Sequence, residues 1–303
     1  MLRSMYSGIS GMKANQTKMD VVGNNVANVG TTAYKKTSAR FSDALYQNAI
    51  FASKPGGGVG GVNPGQVGIG TKVSGIFKNM VQGAIQPTGR PTDLAIDGDG
   101  FFKVQISENN YAYTRDGSFS LDEQGYLVTA EGYYVLGTSM KGNGTDKPAA
   151  TDNQKIQIPK AVKPDGTPGD AGVDGALRVL SFTISKDGKI SYLVEDGTKV
   201  PENNAAGNLV AGKTQQTLNV SVFKNPEGLE ALGGNLYKES ANSGAAIQGK
   251  VMGKINQGAI EMSNVDLSEE FTEMIVTTRA FQAASKVITT SDELLQEIVN
   301  LKR

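Results

Sequence analysis

The sequence predicts a mixed α and β protein. A discontinuous terminal α-helical coiled-coil domain pairs the N- and C-terminal helices, and an all-β domain of short antiparallel strands is inserted between them. Three observations lead there. Apolar residues recur at alternating steps of three and four at both ends of the 303-residue chain. Between the ends the period falls to two. Seven Asp-Gly pairs punctuate the middle, at Asp97, Asp99, Asp116, Asp165, Asp174, Asp187 and Asp196, and this dipeptide supplies the positive φ of tight turns.

The N-terminal stripe is Leu2, Met5, Ile9, Met12 and Met19, with Gln16 in one slot and Val22 and Val26 continuing it. The spacing predicts a helix from about Ser4 to the Asn24–Asn28 stretch. Gly8, Gly11 and Gly23 each weaken such a helix by about 1 kcal/mol relative to Ala, so it needs a partner. Asn24, Asn25 and Asn28 stand where it ends, either as a C-cap and turn or as a polar surface that bonds neighbouring chains. The C-terminal stripe runs Leu267, Phe271, Met274, Thr278, Phe281, Ser285 and Ile288, and then, after a phase shift, Leu294, Leu295, Ile298 and Leu301. Asp266 with Glu269 reads as a capping box, and Lys302 and Arg303 suit the negative end of the helix dipole.

Residues 31–70 read as a connector carrying a Gly-rich loop. Phe41, Leu45, Tyr46, Ile50 and Phe51 there are candidates for contacts with other subunits. Strands are expected at Phe101–Ile106, Tyr111–Arg115, Gly125–Thr129, Leu180–Ile184, Lys189–Val194 and Thr217–Phe223. The spacing of Asp187-Gly and Asp196-Gly suits a β-meander. The domains are therefore 1–30 plus 264–303, helical; 31–70, connector; and 71–263, β, with loose segments near 141–175.

Composition narrows the chemistry. The chain has no Cys, His or Trp, with 30 basic and 30 acidic residues. Thiolate nucleophiles, disulfides, Cys-ligated metals and a Ser-His-Asp triad are excluded. Zero net charge argues against nucleic acid, and no apolar run reaches a membrane span. Neither an enzyme, a cofactor nor a metal site is expected. Gly56-x-Gly58-x-x-Gly61 matches a dinucleotide fingerprint, but no strand leads into it and Asn63-Pro64 follows. Asp97-Gly-Asp99-Gly begins like a calcium loop, yet Phe101 and Phe102 stand where a ligand and a glycine are required. Ser10-x-x-Lys13 lacks the companion motifs of a penicillin-recognising enzyme. Asp97 and Asp99 as paired carboxylates of a hydrolase lack a cleft in which to work.

Several motifs in order resemble the axial proteins of the bacterial flagellum, the rod and hook family. They are Asn24-Asn-Val-Ala-Asn with Thr31-Thr-Ala-Tyr-Lys-Lys; Thr92 to Val104; Tyr113-Thr-Arg-Asp-Gly-Ser-Phe; Gly125-Tyr-Leu-Val-Thr; Asn225 to Tyr237; and Gln257 to Leu267. The resemblance covers nearly the whole chain. It implies a homopolymeric tube with the terminal helices on its inner wall. It also implies passage through the flagellar type III export apparatus without a cleaved signal peptide, and location in the hook or basal body. The implied partners are the chain itself, rod and hook–filament junction proteins, and the hook cap during assembly. Within the family the ending from Met274 to Leu301 and Gly61 to Gly70 are similar to hook subunits, a flexible universal joint. The distal rod subunit, a rigid drive shaft, is the alternative, because the large outer domain of many hook subunits is reduced or missing after Leu136-Gly. The subunit interface is expected at Leu2, Met5, Ile9, Met12, Met19, Asn24, Asn25, Asn28, Leu267, Phe271, Met274, Phe281, Ile288, Leu295 and Ile298.

Overall fold

Asp266 caps the long C-terminal helix in the computed structural model, which describes residues 2–55, 60–141, 149–163, 168–169, 176–201, 214–247 and 253–301. Its carboxylate accepts the backbone N–H groups of Ser268 at 2.8 Å and Glu269 at 3.4 Å, satisfying donors that the first turn leaves open. The Glu269 half of the expected capping box turns to Lys36, 2.9 Å away. With neither Gly nor Pro to interrupt it, this helix, α2, runs Leu267–Leu301, about 52 Å. The N-terminal helix, α1, runs Leu2–Ala27. Asn28 closes it through its side-chain amide, which donates to the Asn24 carbonyl at 2.9 Å.

The chain divides into two units, residues 1–29, 35–79 and 265–303 in one and residues 30–34 and 80–264 in the other. In the first, α1 and α2 run antiparallel. Ser4 Oγ lies 3.3 Å from Ser291 Oγ, Lys18 Nζ lies 3.4 Å from Glu273 Oε2, and Asn25 Nδ2 donates to Glu270 Oε2 at 3.1 Å. On α1 this contact only partly follows the apolar stripe, of which Val22 is buried and Met5, Met12, Met19 and Val26 are half-buried. The buried positions are Gly8, Ala14, Val22 and Asn25, facing Glu270, Thr277 and Ser291 of α2. The cause is steric. A Cβ on Gly8 would stand 3.0 Å from Ile288 Cγ1 and 3.3 Å from the Ala284 carbonyl oxygen, so α2 comes close only where α1 presents small side chains. The methionines of the stripe remain half-buried beside this contact, and Ile9 is exposed.

The stretch expected as a connector contains three strands. β1 (Thr37–Asp43), β2 (Tyr46–Ile50), β3 (Gly65–Gly68) and β4 (Thr71–Lys78) form an antiparallel ribbon, β1 against β4 and β2 against β3, with Ser53 bridging Val62 farther out. Glycines and prolines between residues 53 and 65 masked its period-two pattern. Gly56 and Gly58 of the dinucleotide-like string lie outside the described residues.

The second unit is antiparallel β. After β5 (Ile85–Pro87) and β6 (Leu94–Asp97), β7 (Phe101–Ser107) and β8 (Asn110–Thr114) form a hairpin inside a ten-stranded sheet that also contains 134–141, 149–155, 214–218 and 236–238. A five-stranded sheet holds the expected meander, with 177–184 against 190–194 and that strand against 199–200. Its two turns carry Gly188 at φ +78° and Gly197 at φ +74°, a region that L side chains avoid. The strands at 149–155 and 161–162 fall within the stretch expected to be loose. Asp165-Gly and Asp174-Gly lie outside the described residues, as do Lys302 and Arg303. Strand alternation sends Phe102 into the main core, edge-on to Phe119 at 5.2 Å between centroids, and Phe101 into a second cluster with Phe223 and Tyr237. The positions at which a calcium loop fails thus hold core rings.

A buried ion pair braces this unit. Arg115 Nε donates to Glu261 Oε2 at 2.9 Å, Glu261 Oε1 accepts the Gly83 N–H at 2.9 Å, and Arg115 Nη1 donates to the carbonyls of Gly98 and Gly100. The Asp97–Gly100 turn, the one place where adjacent carboxylates suggested chemistry, is therefore a structural turn held by an arginine.

Two tests address these cores. Phe102→Ala should cost about 3–5 kcal/mol, read as a lowered thermal midpoint of the β unit. Glu270→Ala should cost about 3 kcal/mol, the lower end for a broken buried pair because Lys36 retains Glu269, read by denaturant unfolding followed through the helix signal.

Candidate assembly interface

The first unit is organised around one buried carboxylate. Glu270 is fully buried and meets Lys36 Nζ at 2.8 Å as well as the Asn25 amide. Asn25 is itself buried. Its Nδ2 also donates to the Thr37 carbonyl at 2.8 Å, and its Oδ1 accepts the Thr37 N–H at 3.0 Å. The end of α1, the start of β1 and the first turn of α2 are thereby tied at one point. Burial opposes the charge on Lys36, but the Glu270 and Glu269 carboxylates outweigh it and hold its pKa above the ordinary value of 10.5. Folding therefore binds this proton more tightly. The stabilisation is fully present below pH 10.5 and is lost as pH climbs through the higher folded value.

Around this knot the expected interface residues fall into three groups. Asn25 acts within the chain, and Asn28 forms the helix cap with Asn24. Met5, Met12, Met19, Met274, Phe281, Ile288 and Leu295 are half-buried, with Ile288 against Gly8. Ile9, Leu267, Phe271 and Ile298 are exposed, the last two at 49% and 52%. Leu2 opens α1. The helices add exposed Tyr6, Ile275, Val276, Val287, Leu294, Val299 and Leu301, so α2 shows water a long apolar surface.

The ribbon is more open still. Leu45 and Phe51 are 74% and 76% exposed, and Phe41, Tyr46, Ile50, Val67, Ile76 and Phe77 are also exposed. A two-stranded hairpin is marginal by itself, and this one leaves its large apolar side chains exposed. Exposed patches on this scale mark sites of protein–protein contact. The β unit is different, because its large side chains close on one another. Among the described residues no three metal-binding side chains come together. Asp116, which lines a cavity of about 310 Å³ in the β unit, accepts the N–H and hydroxyl of Ser118 at 3.0 and 2.9 Å in a local turn.

Sequence reasoning missed Glu270, Lys36, Thr277 and the close approach at Gly8. Polar and small residues at core positions leave no trace in an apolar period. The available signal was the heptad itself, since Glu270, Thr277, Ala284 and Ser291 repeat every seven residues beside the apolar stripe.

Comparison with known proteins gives this arrangement its context. A model described as the flagellar hook protein FlgE/F/G D1 domain matches residues 95–192. The flagellar basal body rod FlgEFG protein C-terminal model matches 256–301, and the flagella basal body rod protein model matches 5–35. The flagellar basal-body rod protein FlgG of Bacillus subtilis is 44% identical over 310 residues, covering 100% of both chains. FlgG of Borreliella burgdorferi is 37% identical over 309 residues, again covering 100% of both. The flagellar hook protein FlgE of the latter organism is 29% identical over 442 residues, covering 100% of both. Matches at the N-terminal helix, the β unit and the C-terminal helix, in that order, with end-to-end relatives on both sides, place the chain in the flagellar rod and hook family.

Proposed function

We propose that the chain is the subunit of the distal rod, a rigid drive shaft, which reverses the order in which hook and rod stood on the sequence alone. The observation that carries this reading is the length of the middle. Relatives named as rod proteins align over 310 and 309 residues. Those named as hook proteins need 442 and 467, at 29% and 27% identity, far beyond the 303 residues of this chain. The model that matches the C-terminal motif is described for FlgE, FlgF and FlgG alike, so that motif does not favour the hook, whereas alignment length separates rod from hook relatives.

Self-assembly follows from the surfaces. The exposed Ile, Leu, Val and Phe of α2 are mostly about half exposed, so each would contribute about half of the ~1.5–3 kcal/mol of a full burial if a second copy covered it. A contact between different faces of identical subunits does not close on itself and generates a helical filament. The β unit, with its own core, enters assembly already folded. No step in this reading uses a reactive side chain, in keeping with a chain free of Cys and His.

Two outcomes test it. Ile298→Asp should abolish tube formation in electron micrographs while the β unit melts as in the parent, because a charge buried in an apolar contact costs several kcal/mol; normal tubes would remove α2 from the interface. Deleting the gene should leave basal bodies without distal rod and hook together, and loss of the hook alone would restore the hook reading.

A further inference from the structure

We propose that Ser10 and Gly70 form a hinge stop that fixes the direction of the outer half of the ribbon and so acts as a positioning device for assembly. The proposal rests on the reading of the chain as a tube subunit.

The ribbon has a joint. The regular ladder of β1 and β4 ends at Asp43 and Thr71, and that of β2 and β3 begins at Tyr46 and Gly68. Between them only two backbone bonds carry across, from the Ala44 N–H to the Gly70 carbonyl at 2.8 Å and from the Ile69 N–H to the Leu45 carbonyl at 3.0 Å. Gly70 sits in this joint at φ +134°, open to glycine and strained for other residues. The two halves are held differently. The inner half is anchored at Thr37 by the buried Asn25 amide. In the outer half every residue of β2 is exposed, as is every residue of β3 except Gly65.

The joint lies against α1. Ser10 Oγ accepts the Thr71 N–H at 3.3 Å and donates to the Ser7 carbonyl at 2.9 Å. A Cβ on Gly70 would overlap Ser10 Oγ, stand 3.1 Å from Ser10 Cβ and lie 3.4 Å from Ser7 Cα. The absence of a side chain at residue 70 thus lets the joint seat directly on the helix backbone, and the serine hydroxyl latches the next residue. Asn25 and Ser10 are fifteen residues apart on α1, roughly 22 Å at 1.5 Å per residue, so the two attachments define a line along the helix. Beyond the second one the ribbon is a cantilever carrying Tyr46, Ile50, Phe51 and Val67. A small rotation at Gly70 would move these apolar residues together, away from or onto a neighbouring copy. That gives Ser10 a function in Ser10-x-x-Lys13 that owes nothing to nucleophilic chemistry.

The test uses assembled tubes of the full chain. With no native cysteine, spin labels on Lys13→Cys and Gln47→Cys report the distance from α1 to the outer ribbon, labelled subunits being diluted into unlabelled ones. The parent should give one narrow distribution. Ser10→Ala and Gly70→Ala should lose it to a broad one, and their tubes should lose straightness in electron micrographs, whereas Ser10→Thr, which keeps the hydroxyl, should retain both properties. If Gly70→Ala fails to assemble, Ser10→Ala carries the test. A distribution for Ser10→Ala as narrow as the parent's would overturn the latch. A broad distribution in tubes that stay straight would overturn its role in assembly. Neither result touches the rod reading, which the deletion phenotype decides separately.

Discussion

A carboxylate with no exposure to water is the constraint on which the helical unit depends. Lys36 and the Asn25 amide both reach Glu270 there, and these come from two different stretches of chain. Desolvating a carboxylate costs several kcal/mol, and the cost is offset only when geometry and hydrogen bonds are complete. The network is therefore intolerant of slippage. A shift of α2 by one residue along α1 would leave a buried charge without its partner. Polar contacts here set register, and the apolar surface is left for other uses.

The two units divide the work accordingly. The β unit buries Phe102, Phe119, Leu94 and Ile96 in a closed core and braces its turns with Arg115 and Glu261. The helical unit does the reverse. Its interior seam is Gly8, Ala14, Thr277 and Ser291, while Phe271, Ile275, Val276 and Ile298 face water. A monomer stable in solution would exchange these positions.

Much was legible at the level of period and turn. The 35-residue C-terminal helix follows from an unbroken run without Gly or Pro, and its cap at Asp266 from a local hydrogen bond. The Asp187 and Asp196 turns placed the meander correctly, since a positive φ is a property of a dipeptide. Local signals failed where two requirements overlapped. Residues 31–70 read as a connector around a Gly-rich loop, yet Thr37–Asp43, Tyr46–Ile50 and Gly65–Gly68 on either side of that loop are strands. Glu269 looked like the second half of a capping box, but Lys36, distant in sequence, competes for its carboxylate.

The sequence by itself determined the two terminal helices, several strands and turns of the β unit, which chemistries are excluded and which family the chain resembles. These depend on composition, on neighbours within a few residues and on the order of motifs. Only the tertiary structure decided which face of α1 meets α2, that Asn25 looks inward, and that the ribbon seats on Ser10 through Gly70. Each of those rests on how closely two backbones approach, and close approach is governed by the small and polar residues that a hydrophobic pattern passes over.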